Sequence, residues 1–485
     1  MANKFYLEKF EIVFDKLVEF QAVLNDGRFN DIAQYDALCW LRDHVNERDW
    51  TVGREGARAF SALASKALAS NKVIQGKASE EVVNEAIRYQ FCELVFRRSQ
   101  DLTESSASSM VTRAAKYVDK NKLKDWKHFF PVVLPTFDAI RTSFAIGPVE
   151  FLRTDKFLES HRAEFDAYRD NVEQRSKTSF LSPSPIDQAF GVKWDQSWPV
   201  RHIRKLSESR TKTLEDSLKR SSWVATVPLC RFDRKTGGVV ADNCIRLTLD
   251  LLRVVATRPF DRGIRLSDVQ TNNPDSLRIS TESESGTLGF VHQFGGDMDW
   301  ESEDFGNLIF NASRLHWLDK AGKLVDQLAR TNDLNAVGRR VFDAISWYGE
   351  AISTQRRELS LVVYLNALEA LFTTSSENIT DQLSERVAAL MKSSGTDGGW
   401  KKRVRHLYDV RSNIVHGGAN FAFGTADGEL EDAKTLVNAV LIRGLYWAYY
   451  CASRDDMRSP KGFKKNVDAS LRAYEAALWS PEKKG

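Results

Sequence analysis

The sequence predicts a multidomain α+β protein with a mainly helical N-terminal region, a small β-rich middle domain and a C-terminal all-α, up-down helical bundle. At 485 residues the chain is longer than one compact core usually accommodates. Apolar residues recur three and four positions apart in the first and last thirds, as in amphipathic helices, and alternate with polar residues between them, as in half-buried strands. We therefore expect domains at residues 1–180, 181–310 and 311–485.

Helical periodicity in the N-terminal region is clearest at residues 36–45, 59–68 and 80–98. The segment SFAIGPVEFL, residues 143–152, has aromatic and β-branched residues around a Gly-Pro pair and predicts one or two inserted strands. Pro183 and Pro185 interrupt the helical pattern and mark the first expected domain boundary.

The middle region has the period of β-strands. In CIRLTLDLL, residues 244–252, every second residue is apolar, which predicts a half-buried strand. Turn-rich segments separate further predicted strands at 222–232, 276–281 and 286–294.

Helical periodicity returns after about residue 310. Short polar loops join the predicted helices, so consecutive helices should pack as antiparallel neighbours in a bundle. The predicted helices are 337–354, 358–372, 380–391, 400–416 and 429–453, with a looser sixth at 461–478.

Composition excludes several classes of protein. Hydrophobic residues at 42% and charged residues at 28% are ordinary for a globular chain, and a net charge of +3 gives no global field for nucleic acid. Five dispersed cysteines without a CxxC pair favour a reducing compartment. The charged N-terminus does not resemble a signal peptide, and no apolar run approaches about 18 residues. We expect a soluble, cytoplasmic protein without a membrane partner.

The common enzyme signatures are absent, since the sequence has no phosphate-binding GxxxxGK[ST] loop, GxGxxG, GxSxG or HExxH. An acidic segment could hold a hard cation through its carboxylates, but it lacks the spacing of a calcium loop and is better interpreted as a solvated loop. We expect no metal and no cofactor. The acidic residues are Asp297, Asp299, Glu301, Glu303 and Asp304.

The most informative segment is WKKRVRHLYDVRSNIVHGG, residues 400–418. On a helix, Arg411 projects from the middle of an apolar face and must meet a carboxylate, a partner subunit or a polar cleft. His416 lies at the helix end, where Gly417 and Gly418 can form the cap. Asp409, Asn413 and His416 share a second, polar edge. The apolar face contains Val404, Leu407, Tyr408, Val410, Ile414 and Val415.

This pair of residue types suits RNA cleavage. A histidine can transfer the proton of a 2′-hydroxyl or of the leaving 5′-oxygen, and an arginine can bind the phosphate through two hydrogen bonds. One histidine cannot readily be both base and acid, and a two-fold dimer would bring two Arg411 and His416 pairs together. By spacing alone, His416 is better interpreted as a structural residue at a helix end.

Basic residues concentrate near this segment. Residues 399–485 contain 15 Lys and Arg against 10 Asp and Glu, a net charge of +5. Lys401, Lys402, Arg403 and Arg405 precede Arg411 by one to three turns and could guide an RNA backbone towards it. A solvated helix start is the alternative interpretation.

Three linked segments resemble the HEPN superfamily, specifically its Apea-like branch. They are ALEALF at residues 367–372, RVAAL at 386–390 and LYDVRSNIVHGG at 407–418, which contains Tyr408. The resemblance covers about residues 335–455. The first 310 residues resemble no family that we can name.

The resemblance implies a four- or five-helix bundle that dimerises and commonly acts as a metal-independent endoribonuclease in toxin or antiphage systems. The family arginine and histidine correspond to Arg411 and His416. The family most often has Asn, Asp or His after the arginine, whereas this chain has Ser412, as is usual in the Apea-like branch, followed by Asn413. Glu369 is a candidate to orient Arg411, with a purely structural ion pair as the alternative.

Three functions remain open at this point. The first is an RNA-cleaving effector, acting as a homodimer or higher even oligomer, whose other domains sense a phage-derived or nucleic-acid trigger. The second is a non-catalytic scaffold whose bundle only dimerises or binds RNA or nucleotide. The third is an enzyme in the middle region that uses Asp297, Asp299 and His292.

Overall fold

Contacts within the chain define two compact units, residues 1–126 with 229–240 and residues 127–228 with 241–485. The division into three domains at residues 180 and 310 stays a prediction. The structure is a computed structural model, and it describes residues 2–25, 40–43, 48–98, 101–134, 142–167, 169–170, 212, 215–216, 218–219, 221–256, 264–266, 277–282, 288–292, 312–331, 334–354, 356–392, 399–416 and 426–479.

The described residues are mainly helical, with a small sheet, which confirms the coarse prediction of a mixed fold. Among the described residues before 126, the first unit has four α-helices and a hairpin. The helices are α1 (Ala2–Asn25), α2 (Gly53–Ser70), α3 (Glu80–Cys92), which continues as a π-helix (Glu93–Arg97), and α4 (Glu104–Asn121). The hairpin joins β1 (Trp40–Asp43) and β2 (Arg48–Thr51).

The predictions of helix at 59–68 and 80–98 are confirmed, but the prediction at 36–45 is wrong at Trp40–Asp43. This segment pairs antiparallel with Arg48–Thr51, Trp40 lying opposite Thr51. Four residues with a pairing partner nearby in the chain satisfy their backbone groups as a strand, and apolar spacing in so short a window does not separate the two structures.

Three phenylalanines form the centre of the first unit. Phe10, Phe60 and Phe91 are fully buried, and Phe91 lies 5.8 Å from each of the other two ring centroids. Helix α3 begins at Ser79, whose hydroxyl accepts a hydrogen bond from the Val82 backbone N–H. Such a cap satisfies one of the free donors of the first turn.

A seven-stranded sheet has the order β4-β5-β6-β3-β8-β9, with β7 paired to β3. The strand predictions at 143–152 and 222–232 are confirmed, and those at 276–281 and 286–294 are confirmed over 277–281 and 288–292, their remaining residues lying outside the described ones. Strand β3 was not predicted. The strands are β3 (Lys124–Val133), β4 (Ser143–Ile146), β5 (Val149–Arg153), β6 (Trp223–Phe232), β7 (Arg265–Leu266), β8 (Leu277–Glu282) and β9 (Leu288–His292). The pairs β3–β7, β4–β5, β5–β6 and β8–β9 are antiparallel.

The turn between β4 and β5 depends on glycine. Gly147 has a φ of 59°, a conformation that glycine adopts without strain. A Cβ atom on Gly147 would overlap the backbone of Gly322, which lies on α7 (Ala312–Thr331). The hairpin therefore packs backbone to backbone against this helix. Helix α5 (Thr154–Ser160) follows β5.

The prediction of a strand at residues 244–252 is wrong, because this segment lies inside α6 (Arg234–Val255). The alternating residues Leu247, Leu249 and Leu251 are buried, but so is Thr248 between them. A helix that is buried on most sides shows no polar stripe of period 3.6, so the sequence gives no helical signal there.

A buried ion pair lies on this helix. Arg253 Nη1 is 2.7 Å from Asp250 Oδ1, and Arg253 Nε donates to the Ile264 carbonyl oxygen at 2.8 Å. Burial raises the pKa of Asp250 to about 6 despite the neighbouring arginine. Gly349 packs against the Asp250 carboxylate so closely that a Cβ atom there would overlap it.

The C-terminal helices confirm all six predictions to within about three residues, while α7 was not predicted. Trp447 is fully buried in this bundle, with the rings of Phe372 and Phe463 at 6.1 and 6.2 Å. The helices are α8 (Ala336–Ser353), α9 (Arg357–Phe372), α10 (Ile379–Met391), α11 (Gly399–Val415), α12 (Ala426–Cys451) and α13 (Pro460–Trp479).

Arg386 joins three of these helices. Its guanidinium is bound by both carboxylate oxygens of Asp468 on α13, at 2.8 and 3.2 Å, and donates to the Phe372 carbonyl oxygen at the end of α9. Gln382, on the same helix as Arg386, also accepts from it at 3.1 Å. A buried guanidinium with this many acceptors fixes the positions of the helices that supply them.

None of the described helices has both the length and the apolar character needed to cross a bilayer. Cys230 is exposed, whereas Cys244 and Cys451 are buried free thiols. Burial raises the pKa of Cys244 to about 12 and that of Cys451 to about 11, so these two thiols stay protonated at neutral pH.

The raised pKa of Asp250 predicts a pH dependence of stability. A carboxyl that binds its proton more tightly in the folded chain stabilises the fold most below its unfolded pKa of about 4, and this contribution is lost as the pH rises to about 6. Asp250→Asn cannot titrate. In urea unfolding, the free energy of the wild type should therefore fall relative to Asp250→Asn between pH 4 and 6 and then level off. A difference that is constant with pH would contradict this.

Candidate functional site

The apolar side chains in the first half of helix α11 are buried in the bundle, whereas those in its second half are partly exposed. Val404 and Leu407 are fully buried, whereas Val410 and Ile414 are half-buried and Val415 is 54% exposed. The apolar face expected from the sequence is therefore covered only towards the helix start. Near Arg411 and His416 it presents apolar surface that the described part of the chain does not cover.

Arg411 lies against α9 in a half-buried position. Its Nη2 atom is 3.2 Å from Glu369 Oε1, and it donates to Asn366 Oδ1 at 3.4 Å. The guanidinium carbon lies 5.1 Å from the centre of the Tyr408 ring. A carboxylate, an amide and an aromatic face thus hold the arginine in one orientation.

Tyr408 and Arg411 share one carboxylate oxygen. The Tyr408 hydroxyl donates to Glu369 Oε1 at 2.8 Å, the same atom that faces Arg411. Burial and this hydrogen bond raise the pKa of Tyr408 to about 12, so the hydroxyl remains a donor at neutral pH. Arg411 Nε is buried and makes no hydrogen bond within the described residues. The described neighbours therefore do not use every donor of the guanidinium, although this donor is enclosed and an incoming group would have to meet the terminal nitrogens.

His416 closes the last turn of α11. Its backbone N–H donates to the Ser412 carbonyl oxygen at 3.0 Å, and its side chain is exposed. Asp409 and Asn413 are also exposed, so the polar edge expected from their spacing faces outward, while Ser412 is half-buried. Residues 417 and 418 lie outside the described residues. In the described part of the chain no hydrogen bond joins the His416 and Arg411 side chains.

The basic residues at the start of α11 are mostly paired with carboxylates. Arg405 Nη2 is 2.8 Å from Asp381 Oδ1 on α10. Lys401 pairs with Glu385, which also lies on α10, and Arg403 pairs with Asp432 on α12. Lys402 is exposed and has no ion pair with a described residue. The structure thus places three of the four candidate RNA-binding residues in ion pairs that reduce their attraction for phosphate.

The remaining candidates lie elsewhere. The acidic segment from Asp297 to Asp304 lies outside the described residues, and His292 is the last residue of β9. Within the described ranges, no group of three or more His, Cys, Asp or Glu side chains is arranged to hold a metal ion.

The sequence interpretation missed a cavity of about 600 Å³ between α6 and α8. The buried Asp250–Arg253 pair lies on its wall, with Asp343 and Glu350 on the facing helix. One signal in the sequence could have indicated it. Asp250 and Arg253 are opposite charges three residues apart in an otherwise apolar segment, so they are neighbours on a helix but lie on opposite faces of a strand. Neither Arg411 nor His416 lines this cavity.

The shared carboxylate predicts unequal effects of two substitutions. Glu369→Gln removes the charge that balances a half-buried guanidinium and should lower the free energy of unfolding by about 1 to 2 kcal/mol. Tyr408→Phe removes one hydrogen bond and should cost about 1 kcal/mol. Asp409→Asn, on the exposed side of the same helix, should change it by less than about 0.5 kcal/mol. Urea unfolding measures all three, and a Glu369→Gln effect no larger than that of Asp409→Asn would contradict the pairing.

Comparisons of the chain with protein-family models, with curated proteins and with solved structures find no match. The functional conclusion therefore depends on the residues of α11, on their neighbours and on the sequence resemblance.

Proposed function

We propose that the protein is a metal-independent endoribonuclease in which Arg411 and His416 act on the phosphate and the 2′-hydroxyl of RNA. One observation supports this above the others. Arg411 is held at a fixed orientation by Glu369, and an exposed histidine follows it at the end of the same helix. The resemblance of residues 335–455 to Apea-like HEPN domains supports the same activity.

The proposed reaction is an internal transfer. The 2′-oxygen attacks phosphorus, the bond from phosphorus to the 5′-oxygen breaks, and a proton passes to the departing oxygen. Arg411 stabilises the negative charge that develops on the phosphate, and His416 moves a proton. The products are a 2′,3′-cyclic phosphate and a 5′-hydroxyl. Glu369 acts as a positioning residue for the guanidinium.

A two-fold homodimer supplies a second histidine, so that one can act as the base and the other as the acid. One His416 can take the proton of the 2′-hydroxyl while that of a second copy protonates the 5′-oxygen. The surface formed by Val410, Ile414 and Val415 supports a contact through α11, because it is apolar and adjoins Arg411 and His416.

The biological role that best fits this activity is a cytoplasmic effector in bacterial antiphage or toxin-type defence. In this proposal the first 310 residues sense a phage-derived or nucleic-acid trigger, or restrain the bundle. A non-catalytic scaffold that binds RNA or nucleotide, or that only dimerises, is the second candidate. The ion pairs of Lys401, Arg403 and Arg405 favour its purely dimerising form, since they weaken the expected attraction for RNA.

The chemistry predicts a defined pattern of cleavage. RNA should be cut in the presence of a chelator, and a strand with 2′-deoxy sugar at the cleaved position should resist because it lacks the nucleophile. His416→Ala should lower the rate by about 100-fold or more. Arg411→Lys should lower it by about 100-fold, because an ammonium cannot bind the phosphate through two hydrogen bonds.

Gel electrophoresis and end-group analysis of the products measure this pattern. His406→Ala, an exposed histidine earlier on α11, is the matched control and should cut at the wild-type rate. Cutting of the deoxy strand, or equal rates for His416→Ala and His406→Ala, would eliminate the proposal.

If the chain dimerises through the second half of α11, a charge introduced there should prevent both dimerisation and cleavage. Val415→Asp should shift the mass in light scattering towards the 55.0 kDa of one chain and should abolish cleavage, because an unpaired carboxylate is unfavourable in an apolar contact. Val239→Asp is the control, since it places the same charge at another exposed valine, which is 56% exposed and lies on α6. A fully active 55.0 kDa species at all concentrations would exclude the composite site.

A further inference from the structure

A cavity of about 430 Å³ lies on the surface of the first unit, where the end of α3 meets α4. The π-helix Glu93–Arg97 forms part of its rim. Such an expanded turn is rare and often occurs at functional sites, because it displaces side chains from their usual helical positions. The cavity is lined by Tyr89, Gln90, Glu93, Arg98, Met110 and Arg113.

An exposed aromatic ring, that of Tyr89, lines this cavity and is backed by a second, half-buried ring. The Tyr89 ring is stacked on that of Tyr117, with centroids 5.9 Å apart and planes 21° apart. Tyr89 is 43% exposed, which is unusual for a ring of this size. One face of the pair can therefore accept a further flat group, and the amide of Gln90 beside it can both donate and accept hydrogen bonds.

Four exposed cations accompany the rings, two of them in the lining of the cavity and two further along α4. Arg113, Lys116 and Lys120 follow the i, i+3, i+7 spacing of one face of α4, and Arg98 lies across the cavity. None of the four has an ion pair with a residue that the structure describes. The one acidic lining residue, Glu93, is paired with Arg97 at 3.0 Å.

This surface differs from the start of α11 in one decisive respect. There, three basic side chains are paired with carboxylates, whereas the cations on α4 remain available to an anion. Arg113 and Lys120 are separated by about 10 Å along the helix axis, comparable to about three nucleotides of a stacked strand. Free cations beside an exposed aromatic ring match the two requirements of binding to single strands.

We propose that this surface, composed of Tyr89, Arg98, Arg113, Lys116, Tyr117 and Lys120, binds a single-stranded polynucleotide. One base stacks on Tyr89, and the phosphates that flank it lie along Arg113, Lys116 and Lys120. Stacking and phosphate contacts are common to RNA and DNA, so the surface accepts both. The inference depends on residues of the first unit alone and does not rest on the proposed nuclease.

The test measures binding separately from cleavage. Fluorescence anisotropy is recorded for labelled 12-nucleotide RNA, DNA of the same sequence and a DNA duplex. The protein is the full chain carrying His416→Ala, so that RNA stays intact. We expect both single strands to bind more tightly than the duplex, whose bases are not free to stack.

Variants assign the binding to this surface. Arg98→Ala with Arg113→Ala should weaken binding at least tenfold and reduce the slope of log affinity against log salt by about 1.4. Tyr89→Ala should weaken it about tenfold without changing that slope, and Tyr89→Phe should bind like the parent. Lys66→Ala with Lys72→Ala removes the same charge from exposed positions elsewhere in the unit and should have little effect.

Three results would overturn the inference. One is equal affinity of the arginine double variant and the lysine double variant. Another is loss of polynucleotide binding on the single substitution Arg411→Ala, which would show that the polynucleotide binds to the C-terminal bundle instead. The third is unchanged affinity of Tyr89→Ala together with equal competition by poly-glutamate, which would indicate an acidic protein partner. Cleavage by the wild type is measured in parallel, so failure of the nuclease proposal and failure of this one are distinguishable.

Discussion

A single carboxylate on α9 determines how α11 lies in the bundle. Glu369 accepts from the Tyr408 hydroxyl and faces the Arg411 guanidinium through the same oxygen. Apolar contacts such as those of Val404 and Leu407 attract the two helices but tolerate small shifts along their axes. A half-buried guanidinium tolerates no such shift, because leaving it without a partner is costly. The position of the second half of α11 against α9 therefore depends on this contact.

Much of the fold could be predicted where the chain shows one buried and one exposed face. Helices α8 and α13 have such faces, and the β4–β5 hairpin carries its own turn signal in Gly147. The second half of α6 was mistaken for a strand, because Leu247, Thr248 and Leu249 are all buried and leave no polar stripe in that half. Strand β3 was missed because it pairs with strands far away in the sequence, and no local pattern specifies them.

The candidate site was predictable in its residues and not in their surroundings. The position of Arg411 on an apolar face requires a partner, and Glu369 was already a candidate for it. The Asn366 contact and the carboxylates that neutralise Lys401 and Arg405 come from other helices, so spacing within α11 cannot show them. Local net charge in the sequence consequently overstated the attraction of this segment for RNA.

The close packing of Gly349 against Asp250 has an evolutionary consequence. A larger residue at position 349 would collide with the carboxylate, and a shorter residue at position 250 would deprive Arg253 of its counter-charge. Each change alone destabilises the fold, so homologous chains should substitute these three positions as a group or retain all of them. Divergence in this part of the fold would then proceed by rare joint replacements rather than by gradual drift.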